Sequence, residues 1–126
     1  MAHLSTINRD GSPQVTVIWI GMDGDQMVSG HMTRSLKVRN VERDSRITLS
    51  FDGPRVPGRF LNEYAVLQGR ATVESGEEAW DLLNLLAKVY VAPDAEFPAP
   101  RGPGYILRYD IDKIGGVGPW VAARGH

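Results

Sequence analysis

Short runs of alternating or β-branched apolar residues, separated by Gly, Pro and Asp, fill most of this chain, and a helical period interrupts them twice. Residues 2–8 (AHLSTIN) and 14–21 (QVTVIWIG) read as strands joined by the turn chemistry of RDGSP at 9–13. A second Asp-Gly, in MDGDQ, predicts a hairpin into a third strand at 26–32. Three strands on tight turns form an antiparallel meander, because parallel pairing needs a longer crossover. TRSLKVRNVERDSR at 33–46 follows, with Thr33 or Ser35 as the cap of a short helix that Arg, Leu, Lys and Glu sustain. Strands are expected again at 46–51 (RITLSF) and 62–74, the second with a bend or bulge at Gly69. The segment between them, 52–59, carries two prolines and two glycines and reads as a loop.

Ser75 opens the sequence S-G-E-E, a capping box in which Glu78 would reach back, and the helix after it runs to about Tyr90. Its polar residues Asp81, Asn84 and Lys88 form one narrow stripe, and nearly every other position is apolar. A helix with so little polar surface is buried on more than one side. A domain of this size offers few places for that, so a partner subunit is expected. The Pro-rich segment 91–104 shows no packing pattern. Residues 105–114 alternate Tyr105, Leu107, Tyr109 and Ile111 against Arg108 and Asp110, as a half-buried final strand does. The expected architecture is therefore mainly β: one domain over 1–126, an antiparallel six-stranded barrel with two helices at its ends or side.

Composition narrows the classes. The chain has 126 residues, 42% of them hydrophobic, which suits one folded domain and argues against disorder. It has no cysteine, which rules out disulfides and thiolate chemistry and fits a reducing, cytoplasmic location. No stretch approaches the roughly 20 apolar residues of a membrane span, and the start lacks the order of a signal peptide. A net charge of −1 argues against a general nucleic-acid binder. An oligonucleotide-binding barrel would also interleave aromatics with cations along a strand, whereas here the cations gather on a helix.

That gathering is the strongest chemical signal. Residues 33–46 hold five of the fourteen Lys and Arg side chains. One reading is a solvated face, with Glu42 and Asp44 as weak partners. The other is an anion site: a helix N-terminus offers free N–H groups and partial positive charge. Hydroxyls (Thr33, Ser35) and cations (Arg34, Lys37) lie in its first turn.

The order of motifs resembles the split-barrel flavin-binding superfamily of pyridoxamine phosphate oxidase, and most of all its actinobacterial deazaflavin (coenzyme F-420) branch. The matching features are L-x-T-x-x-x-D-G-x-P from Leu4 to Pro13, PQVTVIW from Pro13 to Trp19, and S-x-K-x-R-N-x-x-x-D-x-R from Ser35 to Arg46. AVLQGRATV and YDIDKIGGVGPW follow in the family's order. The resemblance covers nearly the whole chain, although this chain opens almost inside the first strand, where family members carry a helix. It implies a split-barrel homodimer with two cofactor sites at the subunit interface. Ser35 and Lys37 would hold the cofactor phosphate, with Thr33, Arg34 and Asn40 in support. The ring system would lie along Gln14, Val15, Thr16, Val17 and Ile18, and Trp120 would wall the substrate pocket. The implied cofactor is F-420, with FMN as the alternative. The implied reaction is hydride transfer to a conjugated small-molecule acceptor such as an enone, quinone, lactone or tetrapyrrole. A non-catalytic flavin- or haem-binding protein of the same fold is the other alternative.

The remaining side chains add little. His31, just before the basic turn, is the best candidate acid beside the substrate pocket, against a purely structural role. His3 and His126 read as incidental, and the histidines show no metal-ligand spacing. Trp19 and Trp80 read as core. No nucleophile elbow, phosphate loop or dinucleotide fingerprint is present.

Overall fold

The computed structural model describes residues 1–121; His126 lies outside them. The elements in chain order are β1 (Ala2–Ile7), β2 (Pro13–Ile18), β3 (Gly21–Asp23), β4 (Gln26–His31), α1 (Leu36–Arg43), β5 (Arg46–Asp52), β6 (Tyr64–Gly76), α2 (Glu78–Tyr90) and β7 (Gly104–Val117). The strands form one antiparallel sheet in the order β2-β1-β5-β6-β7-β4-β3. No helix among the described residues is long and apolar enough to cross a membrane.

Two residues close this sheet into a split barrel. The edge strand β2 ends at Ile18 and the opposite edge strand, β3, begins at Gly21. Three peptide steps span at most about 11 Å, so the two edges of a seven-stranded sheet must curl until they nearly meet. One apolar core fills the curl: Leu4 and Ile18 from one limb, Leu49, Leu67, Leu107 and Tyr109 from the middle, and Met27 of β4 packed against them.

The six strands expected from sequence are seven. The run 14–21 breaks at Ile18 because its partner β1 starts at Ala2, which pairs with Ile18, and there is nothing beyond to bond. The chain leaves that edge and pairs Gly21–Asp23 with β4 instead. At the break, the Tyr90 hydroxyl donates to the Ile20 carbonyl (3.0 Å) and accepts from the Ile20 amide (3.4 Å). The capping box is also corrected. Ser75 is still in β6, paired with Tyr105, and the helix starts two residues after it expected to, behind Glu77 and without a side-chain cap bond. Pairing of β6 with β7 through Gly76 outcompetes the local cap. The bulge at Gly69 is present as a register shift against β7, where a Cβ would collide with the Asp110 carbonyl.

Helix α1 is tied to the barrel by Asn40, which has no exposed surface. Its amide nitrogen donates to Thr6 Oγ1 (3.1 Å) and Asn8 Oδ1 (3.0 Å), and its oxygen accepts from Arg43 Nη1 (3.2 Å). Thr6 in turn donates to Gln14 Oε1 at 2.9 Å, which extends the network to β2. Val38 and Val41 bury the apolar side of the same helix. Asn40→Ala is expected to cost about 2–4 kcal/mol in urea unfolding, because it leaves several buried groups unpaired. Tyr90→Phe, which loses only the bonds to Ile20, is expected to cost about 1–2 kcal/mol.

Candidate functional site

Where the two limbs of the sheet approach, a cleft of about 260 Å³ opens. Val17, Ile18 and Trp19 line it from the end of β2, Gly30 and His31 from the end of β4, Lys37 from the first turn of α1, and Leu83 from α2. Phe97 closes it from the segment after α2. Apart from His31 and Lys37 the lining is apolar or backbone.

Each wall has a cause in the sequence. Gly30 lets α2 lie against β4: a Cβ there would stand 2.9 Å from Leu83 Cγ and 3.0 Å from the Ala79 carbonyl. Trp19 stacks on Tyr90 with ring centroids 5.6 Å apart. The Pro-rich segment is fixed by the polar stripe of α2, contrary to its sequence appearance. Arg101 makes a bidentate pair with Asp81 (3.0 and 2.9 Å) and reaches Glu77 (2.8 Å). The Phe97 amide donates to Asn84 Oδ1 at 2.9 Å, and Lys88 Nζ donates to the Ala95 carbonyl at 2.8 Å. Trp80 Nε1 donates to the Ala99 carbonyl at 2.8 Å, so this half-buried indole is an anchor as well as packing.

Of the residues expected at a site, Val17, Ile18, His31 and Lys37 meet in this cleft. Two others carry a distinct signature. Thr16 Oγ1 and Ser35 Oγ are the buried side-chain oxygens without any hydrogen-bond partner among the described residues. Unpaired buried hydroxyls cost roughly 1–3 kcal/mol each, and these two lie on the two segments that the family resemblance implies for ring and phosphate. Both the hydroxyl at the α1 N-cap and the lysine two residues on suit an anionic oxygen. A hydroxyl and an ammonium one helical turn apart fit a phosphate group, although of the two only Lys37 lines the cleft and Ser35 Oγ and Thr16 Oγ1 are buried beside it.

The others are placed elsewhere. Val15 points outward and is exposed, and Gln14 is bonded to Thr6. Asn40 is fully occupied within the fold. Thr33 is exposed. Arg34 pairs with Glu42 (2.7 Å) and faces a second, broader depression together with Arg9, Arg39 and Arg43. The basic turn is thus divided between two surfaces. Trp120 is exposed and donates to the Gly115 carbonyl at 3.0 Å; it does not line the cleft. Sequence reasoning missed Leu83, Phe97 and the lining role of Trp19. Complementary groups at 95–101 opposite the stripe Asp81, Asn84 and Lys88 were the signal available for Phe97.

His31 is buried, with Nε2 at 2.8 Å from Ser29 Oγ, which lies 2.6 Å from the Tyr109 hydroxyl. Burial, with a smaller contribution from the Lys37 charge, lowers its pKa from 6.5 to about 4. The ring is therefore neutral at pH 7. In the unfolded chain it takes up a proton below about 6.5, so stability falls as pH drops from about 6.5 towards 4 and the loss then levels off. The full loss is up to about 3 kcal/mol. In urea titrations across that range His31→Gln is expected to remove most of the slope, and an unchanged slope would assign it to other groups.

A protein-family model described as pyridoxamine 5'-phosphate oxidase matches residues 1–118. No curated protein matches the chain. Among solved structures, an F-420 reductase is 25% identical, with a TM-score of 0.73 over 90% of this chain and 87% of the other. A conserved hypothetical protein of Mycobacterium tuberculosis is 18% identical, with a TM-score of 0.72 over 91% of this chain and 74% of the other. A candidate pyridoxamine 5'-phosphate oxidase of Listeria innocua is 15% identical, with a TM-score of 0.65 over 92% and 86%. With the family model spanning nearly all of a split, antiparallel barrel, the chain belongs to the pyridoxamine 5'-phosphate oxidase family.

Proposed function

We propose that this protein is an oxidoreductase that uses reduced coenzyme F-420 to reduce a conjugated small-molecule acceptor such as an enone, quinone, lactone or tetrapyrrole. The observation that carries the reading is the pair of buried, unpartnered hydroxyls, Thr16 Oγ1 and Ser35 Oγ, beside the segments that line the cleft. The family supports flavin-type chemistry, and the F-420 reductase at 25% identity favours the deazaflavin over FMN. When bound, F-420 supplies a hydride at ring carbon 5 and favours two-electron transfer. The chain's own part is to hold and shield. Ser35 donates to a phosphate oxygen and Lys37 neutralises its charge. Thr16 donates to a polar edge of the ring. Val17, Ile18, Leu83 and Phe97 keep water from the reacting face.

A second copy of the chain completes the groove in this proposal. Val17 on β2 is 59% exposed, and Leu85 and Val89 on α2 are 60% and 72% exposed. Each is a large apolar side chain that a homodimer would cover. A cytoplasmic location, consistent with the lack of cysteine, belongs to the same reading.

Ser35→Ala and Lys37→Ala are each expected to weaken F-420 binding by about 1.5–3 kcal/mol, followed by cofactor fluorescence. Arg59→Ala, an exposed change elsewhere, is the control and is expected to leave binding unchanged. Equal loss in all three would assign the effect to unfolding, and no loss in the first two would remove Ser35 and Lys37 from the site. Leu85→Asp is expected to shift the sedimentation of the protein from dimer to monomer; an unshifted dimer would place the interface elsewhere.

A further inference from the structure

The function proposed above leaves one buried polar chain unused, and its hydrogens can be assigned by elimination. Tyr109, Ser29 and His31 form two contacts: Tyr109 Oη to Ser29 Oγ at 2.6 Å and Ser29 Oγ to His31 Nε2 at 2.8 Å. Tyr109 is almost wholly buried, Ser29 is completely so, and neither side chain has another hydrogen-bond partner among the described residues. If Ser29 donated to Tyr109, the phenol proton would be left unpaired in the core. If both neighbours donated to Ser29, the serine proton would be left unpaired. Only one order satisfies both hydroxyls: Tyr109 donates to Ser29, and Ser29 donates to His31 Nε2. Burial raises the Tyr109 pKa, so the phenol keeps the proton it donates. A neutral imidazole that accepts at Nε2 carries its own proton at Nδ1. No side chain or backbone group among the described residues accepts from Nδ1.

We propose that Ser29 and Tyr109 lock His31 in its Nδ1–H form, so that His31 and Lys37 together present two hydrogen-bond donors and no acceptor to an electron-rich oxygen bound in the cleft. The remaining lining, from Val17 and Ile18 to Leu83 and Phe97, offers no competing side-chain acceptor. The ligand chemistry is thus an anionic or strongly polarised oxygen attached to an otherwise apolar, cleft-sized body. Two sources present such an oxygen: a phosphate, as on the cofactor tail, and the carbonyl of a conjugated acceptor. His31 is the group that touches the ligand; Ser29 and Tyr109 are positioning residues that act through it. The inference deepens the reading of the same cleft, and rests on that reading only for the identity of the ligand.

The test is heteronuclear NMR of the histidine rings in the full-length, ligand-free protein labelled with nitrogen-15, with His31 assigned by comparison with His31→Gln. The expected result is an Nδ1–H ring at pH 7, the reverse of the form that dominates for free histidine. Ser29→Ala and Tyr109→Phe are expected to move the ring towards Nε2–H or a mixture of the two forms. Tyr109→Phe removes one hydroxyl with little change of volume, so it guards against an unfolded Ser29→Ala. An Nε2–H ring in the unmodified protein, or no change in Tyr109→Phe, overturns the proposal. Inorganic phosphate and cyclohexanone are then added separately. A shift of Nδ1 with phosphate, lost in Lys37→Ala, assigns the donor pair to the cofactor tail; a shift with cyclohexanone assigns it to the acceptor. No shift with either overturns the two-donor site. Failure to bind F-420 while Nδ1–H and one of these shifts persist overturns the cofactor reading alone.

Discussion

Two residues, Trp19 and Ile20, connect opposite edges of the same sheet, and the position of every other feature depends on that short link. Because the link cannot span more than about 11 Å, β2 and the β3–β4 hairpin must come together, and the sheet has no choice but to close. Closure gives the barrel its core, in which residues from both limbs pack around Leu49 and Leu107. It also leaves a split where backbone pairing stops. The cleft lies in that split, between Ile18 and His31. The Tyr90 hydroxyl, bonded to both the amide and the carbonyl of Ile20, satisfies the backbone where the strand ladder cannot. Its ring supports Trp19 from behind.

Both helices are then held so as to serve the split. Asn40 fixes α1 on β1, which sets Lys37 at the cleft and the buried Ser35 hydroxyl at the start of the same helix. It is a structural residue within a motif that otherwise looks like a ligand-binding one. On α2 the buried face packs on β4 through Gly30, and the polar stripe holds the chain that follows by ion pairs and bonds to backbone. Surface ion pairs alone stabilise little. Here Arg101 meets two carboxylates in fixed geometry and acts with three bonds to backbone groups, and the result is a defined position for Phe97 over the cleft.

The strands of the barrel were legible because alternation and Asp-Gly turns are local signals. β4, β5 and α1 lie where those signals put them, and the bulge at Gly69 was visible as an isolated glycine in an apolar run. What failed was decided by pairing at a distance. The end of β2 depends on where β1 begins, and the failure of the Ser75 cap depends on β7 continuing to Gly104. The site was partly legible for the same reason. Ser35 and Lys37 stand in one helical turn, so their types and spacing raise an anion site as one of two readings. Asn40 belongs to the same motif, but its partners Thr6 and Asn8 are more than thirty positions away, and nothing local distinguishes a ligand contact from an internal bond. The Ser29–His31–Tyr109 chain was hidden likewise, since its members join only when β4 pairs with β7.

In the function proposed here, the cleft at the split of the barrel holds a deazaflavin whose polar groups satisfy Ser35 and Thr16. The most direct measurement is a parallel titration of the purified protein with F-420 and with FMN, followed by fluorescence. The expected result is saturable binding of F-420 at about micromolar concentration or tighter, roughly −8 kcal/mol, and much weaker binding of FMN. Preference for FMN would contradict the deazaflavin claim while leaving flavin chemistry in place, and binding of neither would contradict the cofactor site itself.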